Sequence, residues 1–371
     1  MTGHDDGTRW CELVDDHGAV AVALPPEGDP FGTWILLGIF EQPPEIELAL
    51  DLVRRDDVVL DIGAHLGTFA LPAANRGAQV IAVEAGPNNA RCLNASASAN
   101  GFARLTVVHA SAGHAERPVR FREHGPWGHT ALTGFAADVT VVPGRTVTGI
   151  LEEHGVERVD LIKLDIEGGE LDVLADLEAM LRADSAPELI IEANRVTQRA
   201  RGARVQDLLR PLEEWGFTLW QIHPRTLTRR GAKDFQPETV ANYWATKGAR
   251  PAPTGWSLRN ERSDDEIAQA LMAEAKSDDW SCRAALAEDL AHAGAMLDHP
   301  IVRRCLARLV FDPEELVARA TAWWTHRDGH DDEPLAARFA VLRELADALD
   351  EIIRESRARL SPASAARRES S

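Results

Sequence analysis

Val58-Val-Leu-Asp61-Ile-Gly63-Ala-His65-Leu-Gly67-Thr-Phe69 is the stretch from which the rest of the chain can be read. A short apolar run of this kind reads as a buried strand, here ending near an acid. Two glycines four residues apart then turn the chain into an apolar helix from about Gly67. Glycine at such a turn lets a ligand approach the backbone closely. The start of the helix offers unpaired N–H groups and the positive end of a dipole to an anionic group.

Working outward, Gln79-Val-Ile-Ala-Val-Glu84 is a second buried strand. Helix 88–100 and strand 105–110 follow. Residues 113–144, with Gly125, Pro126, Gly128, Pro143 and Gly144, read as loops and short antiparallel strands. A short helix over 147–154, strand 159–165, helix 170–182, strand 188–192 and helix 205–215 come next. Strands 217–222 and 242–246 close the pattern. The spacing predicts seven strands alternating with helices, hence an α/β fold with a mostly parallel, doubly wound sheet covered on both faces. Ligands on such sheets bind at the carboxyl ends of the strands, near the switch point.

Ahead of this body, residues 1–45 are mixed and broken by Pro25-Pro26 and Pro43-Pro44, and read as a cap segment before a helix over 45–54. The sheet domain spans 46–247. Gly248-Ala-Arg-Pro-Ala-Pro-Thr-Gly255 opens a linker over 248–262. Beyond it only helical periodicity appears, over 264–276, 279–296, 300–310, 313–327 and 334–359, which gives an all-α accessory domain over 263–360. Ile267, Leu271, Leu286, Leu290, Leu306, Leu309, Leu316, Trp323, Leu342, Leu345, Leu349 and Ile352 fall at helical spacing, so each helix buries a stripe. Trp280 and Trp323-Trp324 exceed what one small helical layer needs, and suggest a homodimer contact or a wall of the acceptor pocket; plain core packing accounts for them equally well. The small, polar stretch 361–371 reads as a disordered tail.

The chain has 371 residues and 44% hydrophobic content, enough to bury a full core and to exclude wholesale disorder. Its formal charge of −19 disfavours nucleic acid or an anionic membrane as partner. Four scattered cysteines form no pair with zinc-ligand spacing. The opening Met1-Thr-Gly-His-Asp-Asp lacks the basic and apolar regions of a secretory signal, and the apolar run Trp34–Phe40 is too short to span a bilayer. A soluble, cytoplasmic protein is expected.

Two acids at consecutive strand ends carry the chemistry. Glu84 lies 23 residues after Asp61, and a carboxylate there accepts both hydroxyl protons of a ribose. The pattern D-x-G-x-x-x-G departs from the G-x-G-x-x-G of dinucleotide sites. An acid at the first strand end suits a ligand with a charged amine, and S-adenosylmethionine has an amine, a carboxylate and a ribose. A further cluster, Asp160-Leu-Ile-Lys163-Leu-Asp165-Ile-Glu167-Gly-Gly-Glu170-Leu, sets Lys163 and Asp165 on one face of a strand. Partly buried charges must be paired, so this is either a functional site or a structural ion-pair network.

From Phe31 to about Lys247 the chain resembles the FkbM-type methyltransferases. The matching pieces are Gly38-Ile-Phe-Glu41, the Val59–Gly67 turn, Val83-Glu84, Asn100-Gly101, Val147 with its helix, Ile162-Lys-Leu-Asp-Ile-Glu-Gly-Gly-Glu-Leu171, Ile190-Ile-Glu192 and Asn242-Tyr-Trp244. The turn is shared by many methyltransferases; the Lys163–Glu170 block is far more specific. His65 stands where the family usually has asparagine, and Ala85-Gly86 where a proline is common. The C-terminal helices have no counterpart in the family pattern. The resemblance implies a Rossmann-like methyltransferase that uses S-adenosylmethionine, usually for O-methylation of small molecules or natural-product intermediates in secondary metabolism. It implies a cofactor site formed by Glu41, Asp61, Gly63, His65, Gly67, Thr68 and Phe69, with Glu84 and Ala85 on the ribose side, Ser111 and Ala112 flanking the adenine, and Asp165 at the reacting end.

A hydroxyl acceptor must lose its proton. Asp165, Lys163, Glu192, His129 and His223 are the candidates. Asp165 is preferred as base, with Lys163 as its charge partner and His129 on a loop over the substrate; for His129 and His223 a surface role is the stronger reading. Asp165, Glu192 and Asn194 at adjacent strand tips offer three oxygens to Mg2+; for Glu192 and Asn194 a substrate contact or a cap on the following segment is the stronger reading. A peptide or other macromolecular acceptor, and a nucleoside-binding module without turnover, are the competing functions.

Overall fold

In a computed structural model of the chain, the structure describes residues 8–25, 41–113, 116–124, 127–130, 139–231, 236, 238–248, 250–290, 299–310, 312 and 314. These fall into two compact units, one within Met1–Ala232 and Val240–Glu261, the other within Lys233–Thr239 and Arg262–Ser371.

The first unit opens with a hairpin, β1 (Arg9–Asp15) and β2 (Gly18–Leu24). Helix α1 (Pro44–Leu52) leads into β3 (Val58–Ile62), α2 (Ala70–Asn75), β4 (Gln79–Glu84), α3 (Pro87–Ala99) and β5 (Leu105–His109). Next come β6 (Ser111–Ala112), β7 (Pro118–His124), β8 (Trp127–Thr130), β9 (Val139–Arg145) and α4 (Val147–Glu153). Then β10 (Leu161–Leu164), α5 (Glu170–Asp176), α6 (Glu178–Arg182), β11 (Glu188–Asn194), α7 (Arg195–Ala200) and α8 (Val205–Glu214) follow. The unit closes with β12 (Phe217–His223), β13 (Thr226–Arg229), β14 (Val240–Lys247) and β15 (Ser257–Arg259).

The main sheet runs β15-β13-β12-β14-β11-β10-β3-β4-β5. The five strands β5, β4, β3, β10 and β11 are parallel, and β14 is antiparallel to both its neighbours. Successive side chains on a strand face opposite sides. Val59, Val80 and Ala82 accordingly enter one core with α1, α2 and α3. Leu60, Ile62, Ile81 and Val83 enter a second core with α4, α5, α6 and α8. Chain order reverses between β3 and β10, and the register sets Lys163 beside Asp61 there. β6, β7, β8 and β9 form a separate four-stranded sheet, antiparallel except for the β6–β9 pair.

Three details differ from the sequence reading. The sheet has nine strands rather than seven, because β13 and β15 extend its edge. β15 lies in the expected linker, where Trp256 is buried and its indole N–H donates to Asp51 Oδ2 at 2.8 Å. Arg225 stacks over the same ring at 5.3 Å. The expected helix 170–182 is two helices that meet at the buried Leu177. The expected cap segment contains the β1–β2 hairpin, which Asn100 holds from the end of α3: Ala21 N–H donates to Asn100 Oδ1 at 2.8 Å, and Asn100 Nδ2 donates to Ala21 O at 2.7 Å. Ser96 Oγ takes the Ala23 N–H at 2.8 Å. Together the two side chains pair with β2 as a neighbouring strand would.

In the second unit, α9 (Asp264–Glu274), α10 (Trp280–Leu290) and α11 (Pro300–Val310) share a core of Ile267, Leu271, Leu286, Leu290, Val302 and Leu309. Ser263 and Glu266 form a capping box on α9. Arg283 pairs with both carboxylate oxygens of Asp312, at 2.7 and 3.0 Å. The expected helix 334–359, all of the expected helix 313–327 except Glu314, Trp323-Trp324 and the tail lie outside the described residues. Among the described residues no helix is long and apolar enough to cross a membrane.

Candidate active site

The carboxyl ends of β3, β4, β10 and β11 open into a cavity of about 830 Å³, a size typical of small-ligand sites. Asp61, Gly63, His65, Thr68 and Phe69 line it from the first turn. Glu84 and Ala85 line it from the end of β4, Ser111 and Ala112 from β6, and Lys163, Asp165 and Glu192 from beyond the switch point.

Gly63 has φ +85°, and a Cβ there would stand 1.8 Å from the Asp165 carbonyl oxygen. Only glycine lets the two turns meet. Glu84 organises the same turn: its Oε2 accepts from His65 N–H and its Oε1 from Gly86 N–H, both at 2.7 Å. Burial raises the Glu84 pKa, against these bonds. His65 sits at φ +53°. Burial, with the Lys163 charge added, lowers its pKa to about 4, so its ring is neutral at pH 7.

Lys163 is 6% exposed and lies between two acids, 3.3 Å from Asp165 Oδ2 and 3.7 Å from Asp61 Oδ1. Burial works to lower its pKa, but Asp165 and Asp61 outweigh that and hold it above the ordinary lysine value. Burial raises Asp61 to about 6 despite the lysine. Glu167 has φ +57°, and burial followed by the Asp165 charge raises it to about 7. Glu192 is raised well above the ordinary carboxylate range, by burial and then by Asp165, Glu167 and Glu170. Glu170 has its oxygens committed. Ile166 N–H and Gly168 N–H each donate to its Oε1 at 3.1 Å, and Gln198 Nε2 donates to its Oε2 at 2.5 Å. It fixes the turn on which Asp165 and Glu167 sit.

Several expected residues lie elsewhere. Gly67 is outside the cavity wall; a Cβ there would stand 2.3 Å from Leu93 Cδ1, so its glycine serves the packing of α3. Glu41 is exposed and away from the cavity, whereas Glu45, which no motif marks, lines it from the start of α1. Burial raises the Glu45 pKa. Asn194 caps α7, its Oδ1 accepting from Val196 N–H and Thr197 N–H, while its Nδ2 donates to Glu167 at 3.3 Å. His129 is on β8, paired in register with Arg122, and His223 ends β12 away from the cavity wall. The other part of the expected loop over the substrate, 125–126 and 131–133, lies outside the described residues.

Residues 61–219 match the family model described as Methyltransferase FkbM domain. Among solved structures, the chain is similar to a precorrin-6y C5,15-methyltransferase from Geobacter metallireducens GS-15, at 13% identity over 55% of this chain and 87% of that one, TM-score 0.33. It is similar to the 16S rRNA N2 G1207 methyltransferase of T. Thermophilus, at 15% identity over 67% and 52% of the two chains, TM-score 0.34. A TehB-like SAM-dependent methyltransferase from Corynebacterium glutamicum shares 16% identity over 59% and 95%, TM-score 0.34. No curated protein matches the sequence.

Proposed function

We propose that the chain, whose residues 61–219 match the methyltransferase FkbM domain, uses S-adenosylmethionine to O-methylate a hydroxyl or carboxyl group on a small molecule, an intermediate of secondary metabolism. The observation that carries this reading is the Lys163–Asp165 pair, which faces the same cavity as the Glu84 carboxylate.

The residues present fit the cofactor. Gly63 leaves the backbone open to close approach, and the Glu84 carboxylate, which accepts from His65 N–H, Gly86 N–H and the Asn89 side chain, keeps acceptor capacity for a ribose hydroxyl. Ser111 and Ala112 offer a wall for the base, and Asp61, buried beside Lys163, sets the charge near the amino-acid end. S-adenosylmethionine supplies a methyl group on a sulfonium. The domain's part is to hold donor and acceptor in line, which contributes most of the rate in such displacements.

Asp165 is the base in this reading. With S-adenosylmethionine bound to supply the methyl group, the Asp165 carboxylate would take up the proton that the acceptor hydroxyl gives away. Lys163 holds that carboxylate in place at 3.3 Å. A cavity of about 830 Å³ supports a small acceptor, and the net charge of −19 supports one that is not a polyanion.

The test is methyl transfer from labelled S-adenosylmethionine to a panel of hydroxylated small molecules, with Asp165→Asn alongside. The variant is expected to bind S-adenosylmethionine within about threefold of wild type and to lose roughly 10²–10⁴ in rate. Near-wild-type turnover would remove Asp165 as the base. Transfer only to RNA or peptide would overturn the small-molecule class.

A further inference from the structure

We propose that Asp165, Glu167 and Glu192 form a binding site for one divalent metal ion at the tips of β10 and β11. The inference rests on reading this cavity as the transfer site only for its consequence in catalysis, not for the binding itself.

Each of the three residues offers one carboxylate oxygen, and the three oxygens lie within 4.8 Å of one another. Three points that close always have a common centre no more than about 2.8 Å from each, near the 2.0–2.6 Å at which Mg2+, Mn2+ or Ca2+ meets oxygen. A small inward shift of the side chains completes the contact.

The charges around the cluster are unbalanced. Lys163 pairs with Asp165, but among the described residues no cation makes an ion pair with Glu167 or Glu192. A second observation points the same way. Glu192 Oε2 is buried and has no hydrogen-bond partner among the described residues. A buried carboxylate oxygen left unpaired is costly, and a hard cation relieves that cost together with the mutual repulsion of the acids.

The surroundings are those of a supported ligand set. Glu170 accepts the Ile166 and Gly168 N–H groups and so fixes the turn between two of the ligands. Asn194 donates to Glu167 Oε2 at 3.3 Å while capping α7. Asn194, expected from the sequence as a ligand, is instead a positioning residue, and Glu167 takes its place. Such supporting bonds orient metal ligands and tune affinity. Three protein oxygens leave positions open on a six-coordinate ion; a hydroxyl bound at one of them would be more acidic, and with the ion in place Asp165 would serve as its ligand rather than as the free base.

The test uses the full chain, stripped with a chelator and titrated with Mn2+ in the absence of S-adenosylmethionine and acceptor. Calorimetry and the loss of free Mn2+ signal in electron paramagnetic resonance should give one ion per chain, displaced by excess Mg2+. Glu192→Gln keeps the shape and removes the charge; it should weaken Mn2+ binding by about tenfold or more, as should Glu167→Gln. Retained S-adenosylmethionine binding by each variant reports that it is folded. Absence of saturable Mn2+ binding by the wild-type chain would overturn the proposal, as would unchanged affinity in folded Glu192→Gln. Loss of Mn2+ binding leaves the methyltransferase reading standing, whereas a chain that binds Mn2+ but not S-adenosylmethionine contradicts only that reading.

Discussion

Gly63 and Asp165 meet backbone to backbone: a Cβ on residue 63 would stand 1.8 Å from the Asp165 carbonyl oxygen. The turn after β3 and the turn after β10 are thereby interlocked at the switch point of the sheet. Gly63→Ala adds both that clash and a strained φ of +85°. Because the obstacle is backbone, it has no flexible end to give way. The variant should lose about 2–4 kcal/mol of stability in urea denaturation and bind no S-adenosylmethionine. A stable Gly63→Ala chain would mean the two turns are not locked.

Asn100→Ala removes two hydrogen bonds between the α3 cap and Ala21 on β2. Both partners on the hairpin are backbone groups, so the variant leaves them unpaired. A loss of about 1–3 kcal/mol is expected. Hydrogen exchange should show faster exchange of the Ala21 amide, with the parallel strands unaffected. Uniform exchange across the sheet would argue that the hairpin is not held from this point.

His65 predicts a pH dependence. Its native pKa is about 4 against an ordinary 6.5. Below pH 6.5 the unfolded chain takes up a proton that the native chain refuses until about pH 4. Stability contributed by the neutral ring is therefore present above pH 6.5, lost as the pH falls through that window, and level below it. Lys163 adds to the effect and Asp165 opposes it. Asp61, raised to about 6, has the opposite sign, since its native form takes up a proton first. The difference between wild type and His65→Asn isolates the histidine, and asparagine tolerates φ +53°. Wild type should lose stability relative to His65→Asn between pH 6.5 and 4; parallel profiles would contradict the assignment.

The parallel strands and the acids at their tips were legible because Val58–Ile62 and Gln79–Glu84 are short apolar runs, each ending at or beside a carboxylate that lines the cavity. Other features depend on contacts that local pattern does not encode. The hairpin is held by Asn100 and Ser96, 79 and 73 residues away from their partners. Glu45 reaches the cavity because α1 is seated on the sheet, and nothing in its own neighbours marks it. Gly63 and Gly67 look alike in sequence, yet one clears space against Asp165 and the other against Leu93. Glu167 was visible within the Lys163–Glu170 block, but its partnership with Glu192 requires the β10–β11 pairing to bring the two together.

Calorimetric titration of S-adenosylmethionine into wild type and Glu84→Ala asks whether this cavity holds the cofactor with its ribose on Glu84. Loss of a charge-assisted contact to a buried ligand costs on the order of 1.5–3 kcal/mol, so the account predicts saturable binding of one cofactor per wild-type chain and an affinity at least about tenfold weaker in Glu84→Ala. No saturable binding by the wild-type chain, or equal affinity in the two, would contradict it.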